Sequence, residues 1–64
     1  MGRIRRGNFI FVFWAGDHPP RHVHVYRSGK LVVKWDLENN RAMKGKPTGQ
    51  ILKYIRELQD RGAL

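Results

Sequence analysis

Cysteine is absent from this 64-residue chain, so neither a disulfide nor a thiolate metal site staples the fold, and nothing in the composition calls for an oxidising compartment. Acidic side chains are scarce: five Asp and Glu stand against thirteen Lys and Arg, a formal charge of +8. Long apolar runs are missing as well. The longest, Phe9 to Ala15, falls far short of the ~20 residues that span a bilayer. The amino terminus shows no apolar segment followed by a small-residue cleavage site, so a cytoplasmic location is expected. Bulk is the last shortage. A single core of this size rarely supplies more than ~3–5 kcal/mol, so residues 1–64 are expected to form one small domain that leans on a homodimer mate or a small partner protein.

What is abundant is positive charge, and a field of that sign attracts polyanions. Nucleic acid is therefore the expected partner, the alternative being a solvated basic surface with no dedicated ligand. A membrane surface is not expected. Its signature is a basic amphipathic helix, and the one amphipathic segment here sets Lys53, Arg56 and Arg61 against Glu57 and Asp60.

Along the chain, residues 8–14 (NFIFVFW) are β-branched and aromatic almost throughout, which predicts a strand apolar on both sides. Phe9, Phe11 and Phe13 fall on one side, Ile10, Val12 and Trp14 on the other. His18-Pro19-Pro20 forces a loop, because proline lacks an N–H and holds its predecessor extended. Arg21 to Tyr26 is a second strand, Ser28-Gly29 a two-residue turn, and Leu31 to Asp36 a third strand. A short edge strand over Arg41 to Lys44 is optional. Thr48 then caps a helix whose face carries Ile51, Leu52, Tyr54, Ile55 and Leu58, with Gly62 as its stop. Residues 1–7 read as a basic flexible arm. The expected class is α+β: a three- or four-stranded antiparallel sheet, β-β-β-(β)-α, with one C-terminal helix packed on one face. One helix cannot cover both sides of the first strand, so the other side meets another chain or the sheet curls over it.

All three histidines lie within seven residues, His18, His22 and His24. On a strand His22 and His24 share a face with Tyr26, and a turn at Ser28-Gly29 would set His24 across from Val33 and His22 across from Trp35. Three readings compete. A metal site would take two imidazoles from the strand and His18 from the loop, but Asp17 is the sole carboxylate nearby and ligating histidines need acceptors behind them. A catalytic site would use His22 or His24 as acid or base on an RNA 2′-hydroxyl, with Arg21, Arg27 or Lys34 neutralising the phosphate. The third reading is a half-buried strand face making ordinary hydrogen bonds, and for any one histidine alone it ranks first. No metal and no cofactor are expected.

The run Asp17-His18-Pro19-Pro20-Arg21-His22-Val23-His24-Val25-Tyr26-Arg27, with the aromatic strand before it and Trp35-Asp36-Leu37 after it, closely resembles the small bacterial proteins grouped as domain-of-unknown-function family 4160. The likeness covers nearly the whole chain, and its most specific part is D-H-x-P-P-x-H-V-H-V. What it implies is a member of a two-gene arrangement similar to toxin–antitoxin modules, beside another small protein. A second likeness, from Arg21 to Ile55, is to the HicA-type mRNA interferases, small toxins with a double-stranded-RNA-binding-like fold. There a strand histidine is catalytic, which would fall on His22 or His24 here.

Neither a helix-turn-helix nor a zinc-finger pattern is visible, and a sheet bearing histidine and aromatic groups suits stacking and backbone contacts, so RNA is expected ahead of DNA. Arg3, Arg5, Arg6, Arg21, Arg27 and Lys34 are the expected phosphate contacts. The alternatives are a histidine-dependent ribonuclease toxin and a protein-interaction module that happens to be basic.

Overall fold

A computed structural model describes residues 2–14 and 21–64. Five strands and one helix follow in order: β1 (Gly2–Arg6), β2 (Phe9–Phe13), β3 (His22–Arg27), β4 (Lys30–Asp36), β5 (Arg41–Gly45) and α1 (Gly49–Asp60). The strands form one antiparallel sheet in sequence order, β1-β2-β3-β4-β5. The α+β class and the single C-terminal helix agree with the sequence expectation, and the strand count does not. The sheet has five strands rather than three or four.

The additional strand is β1, formed by residues expected to lie in a basic flexible arm. Gly2–Arg6 pairs with β2 along its length, Gly2 opposite Phe13 and Arg6 opposite Phe9. Its one apolar side chain, Ile4, lies opposite Phe11 and packs against the core, while Arg3 and Arg5 point the other way. Backbone pairing explains why so polar a segment is a strand: without it the outer N–H and C=O groups of β2 would be left to solvent. Its arginines also discourage further strands from adding to this edge.

Helix α1 covers the face that carries Phe9 and Phe11. The core consists of Phe9, Phe11, Val23, Val25 and Val33 from the sheet and Ile51, Ile55 and Leu58 from the helix. Tyr54 sets its ring against those of Phe9 and Phe11, at centroid distances of 6.4 and 6.3 Å. Thr48 caps the helix as expected, its hydroxyl accepting from the Ile51 N–H at 3.2 Å. The stop is equally regular. Gly62 N–H donates to the Gln59 carbonyl and Ala63 N–H to the Leu58 carbonyl, the paired bonds of a Schellman ending, which turns Ala63 and Leu64 back onto the core. Leu52, expected on the apolar face, is exposed, because the buried stripe is the narrower Ile51, Ile55, Leu58 set.

The β3–β4 hairpin turns at Ser28-Gly29, where positive φ at both residues (53 and 78) gives the type I′ geometry that matches strand twist. The expected pairing beyond it does not hold. Tyr26 lies opposite Leu31 but Val25 lies opposite Val33, so Val32 is an extra residue, a β-bulge. The bulge shifts every later pair by one, setting His24 opposite Lys34 and His22 opposite Asp36 rather than Val33 and Trp35. A second irregularity sits on β5. Lys44 faces Lys34 while Ala42 faces Trp35, leaving Met43 as the extra residue.

Candidate functional site

The sheet face away from α1 is where the chemistry collects. Because paired residues share a face, the register assembles it row by row: Arg3 and Arg5 on β1, Ile10 and Val12 on β2, Tyr26, His24 and His22 on β3, Lys34 and Asp36 on β4, and Lys44 and Arg41 on β5. Trp14, just past the end of β2, joins them and is 40% exposed. Apolar and aromatic groups run down the middle of this face, with cations on both flanks.

Three rings make a row across it. Trp14 meets His24 edge-on, with centroids 4.9 Å apart and planes at 87°, and His24 meets His22 at 5.0 Å and 71°. Both histidines are half-buried, and the Nδ1 atom of His24 is shielded from solvent. Beside them Arg3, Ile10, Val12, Trp14, Tyr26 and Gly29 line a shallow groove of about 280 Å³.

Charge on this face is nearly all of one sign. Among the described strand residues the sole carboxylate is Asp36, which is buried and occupied. It accepts from the backbone N–H groups of Glu38 (2.9 Å) and Asn39 (3.1 Å) and from the Asn39 side-chain amide (2.7 Å), and lies 4.0 Å from the Arg41 guanidinium. Lys34 and Lys44, by contrast, stand directly opposite each other, a like-charge pairing that a sheet disfavours.

The Asn39 amide above all, then the turn N–H groups and Arg41, hold the Asp36 carboxyl below its ordinary value of 3.8 against the opposing effect of burial. A carboxyl depressed in the fold adds stability that is fully present above its unfolded value and is lost as pH falls through the folded one. Thermal melts between about pH 5 and about pH 2 should therefore show stability falling below 3.8, and Asp36→Asn should flatten that fall. A variant whose acid profile matches the parent would show that Asp36 does not carry it.

The six expected phosphate contacts do not form one patch. Arg3, Arg5 and Lys34 share the open face, but Arg6 and Arg27 both lie opposite Phe9, on the side that α1 covers. Arg21 precedes β3, its N–H donating to the Glu38 carboxylate and its carbonyl accepting from Leu37 at 2.8 Å, so its backbone ties the strand start to the β4–β5 turn. Lys44 was missed, and only the β5 bulge reveals it: the register, not the composition, sets it beside Lys34. Trp14 and Tyr26 were also absent from the expected contacts, although strict alternation from His22 to Tyr26 was the signal for the latter.

Among the described residues no group of three His, Cys, Asp or Glu is arranged to hold a metal ion. His18 and Asp17, which the metal reading required, lie outside the described residues. No described helix is long and apolar enough to cross a membrane.

No curated protein and no solved structure matches the chain. A family model does match, over residues 8–61, which takes in β2 through α1 and the whole histidine-bearing strand. On that match the chain belongs to the family described as Domain of unknown function (DUF4160).

Proposed function

We propose that this protein binds nucleic acid, RNA ahead of DNA, on the sheet face opposite α1, as the basic member of a small two-protein module. The observation that carries the reading is the sign and order of the side chains there: Arg3 and Arg5 on one flank, Lys34 and Lys44 on the other, and a stripe of Trp14, Tyr26 and two histidines between. Cations spaced around aromatic rings are what a sheet needs to hold a phosphate backbone while its bases stack. The opposed Lys34 and Lys44 fit too, since an anion between them converts a mutual repulsion into two attractions. The resemblance to paired small bacterial proteins supports the two-protein setting. A symmetric dimer through this face is the weaker reading, because it brings cations together with no free carboxylate among the described strand residues to meet them.

Binding of a fluorescent RNA 20-mer and the matching DNA, followed by anisotropy at about 50 and about 200 mM salt, tests this. With four phosphates neutralised on a single strand, affinity should drop about 50-fold across that range. Arg3→Ala and Lys34→Ala should each weaken binding and lessen the salt slope by about 0.7. Undetectable binding at the lower salt refutes the reading.

A second reading is favoured by the His22–His24 contact at 5.0 Å with Lys34 directly across from His24. One imidazole takes the proton of an RNA 2′-hydroxyl, that oxygen bonds to the adjacent phosphorus, and the other imidazole protonates the departing 5′-oxygen while Lys34 offsets phosphate charge. Gel analysis of the same incubations decides it. Cleavage lost in His22→Ala or His24→Ala, and absent on DNA, supports a ribonuclease; intact RNA leaves binding alone.

A further inference from the structure

The groove beside the histidine row is built differently from the rest of the open face. Two aliphatic side chains, Ile10 and Val12, and two aromatic ones, Trp14 and Tyr26, line it, and among the described lining residues Arg3 supplies the one formal charge. At about 280 Å³ it falls just below the ~300–1,000 Å³ of pockets that take drug-sized molecules. A single planar heterocycle is the right size for it.

Given nucleic-acid binding on this face, on which this step rests, we infer that the groove seats one unpaired base, so that the protein selects single-stranded over double-stranded nucleic acid. In a duplex the bases are stacked and paired, and none can lay its face against the apolar and aromatic lining. In a single strand one base can turn inward onto Trp14 and Tyr26 while its phosphates stay with Arg3 and Arg5. The edge-on contact with His24 holds the Trp14 indole against the sheet, so a base meets a positioned ring rather than a freely rotating one. Arg3 is placed for both tasks. It lines the groove and stands on the cationic flank, so base and phosphate are engaged by adjacent groups. A protein segment is the less fitting occupant, since the charge here calls for a polyanion whose apolar part is flat.

The test uses the full chain and four labelled probes: a single-stranded RNA decamer, the same decamer annealed to its complement, the same decamer with abasic sites, and a polyglutamate decamer. The single strand should bind at least about 10-fold more tightly than the duplex. Stacking lost through Trp14→Ala should weaken single-strand binding about 5- to 150-fold and duplex binding far less, with Trp14→Phe restoring part of the single-strand loss. Abasic RNA should bind the parent protein as weakly as intact RNA binds Trp14→Ala. The abasic probe needs no variant, so the outcome stands even if Trp14→Ala fails to fold. Equal binding of single strand, duplex and abasic RNA, still sensitive to Arg3→Ala, overturns the base seat while sparing nucleic-acid binding. Binding of polyglutamate but of no nucleic acid overturns both, and makes the face a docking surface for an acidic protein.

Discussion

Phe11→Ala is expected to leave the domain largely unfolded at room temperature. Phe11 is fully buried, lies between Ile4 and Val25 in register, and meets the Tyr54 ring edge-on. Truncating a buried phenylalanine costs about 3–5 kcal/mol, counting lost transfer energy and the cavity left behind. A core of this size supplies about the same amount in total. The neighbouring Val12→Ala provides the control. Val12 is half-buried on the opposite face, so the same kind of truncation should cost about 1 kcal/mol or less. Urea unfolding of both variants, followed by circular dichroism, reads the difference. Equal losses would mean that the two faces of β2 are equally buried, contrary to a helix on the phenylalanine side alone.

Gly45→Ala should be the most damaging glycine substitution in the sheet. Gly45 closes β5 opposite Val33 with φ 78, a conformation that costs an alanine about 1–2 kcal/mol. A methyl group there would also overlap the Val32 carbonyl oxygen and come within 3.1 Å of the Val32 carbonyl carbon, and backbone cannot rotate away as a side chain could. Val32 is the bulged residue, so the strain falls where β4 departs from regular pairing. Gly29 separates the two effects, since it has the same φ of 78 and open space around the added methyl. Gly29→Ala should therefore show the backbone cost alone, and Gly45→Ala should exceed it by at least about 1–2 kcal/mol, the usual cost of forcing a methyl into filled space. If the two variants melt together, β5 moves aside freely and the close approach is not a constraint.

Both expectations bear on the candidate site, because the same contacts set what the open face presents. Burying Phe9 and Phe11 under α1 is what turns Ile10, Val12 and the histidines outward. The β4 bulge is what brings Lys34, rather than Val33, across from His24.

Local patterning was enough for β2, β3, β4 and the capped helix, since period-two alternation, turn residues and an N-cap act over a few neighbours at a time. On the same basis β5 is only optional, because Arg41 to Lys44 alternates only weakly. Local patterning was also enough to place His22, His24 and Tyr26 on one face and to require that one side of β2 escape the helix. Three things were decided only by the tertiary structure. Residues 2–6 carry no strand pattern of their own and are extended because β2 has an edge to satisfy, a cause lying seven or more residues away for most of them. The cross-strand partners of the histidines depend on one extra residue, Val32, and a bulge of this kind is silent in composition. Which side of β2 is covered was open too, because both sides are apolar. The choice followed from docking Ile51, Ile55 and Leu58 onto the phenylalanines, a packing of shapes between distant segments that no local pattern encodes.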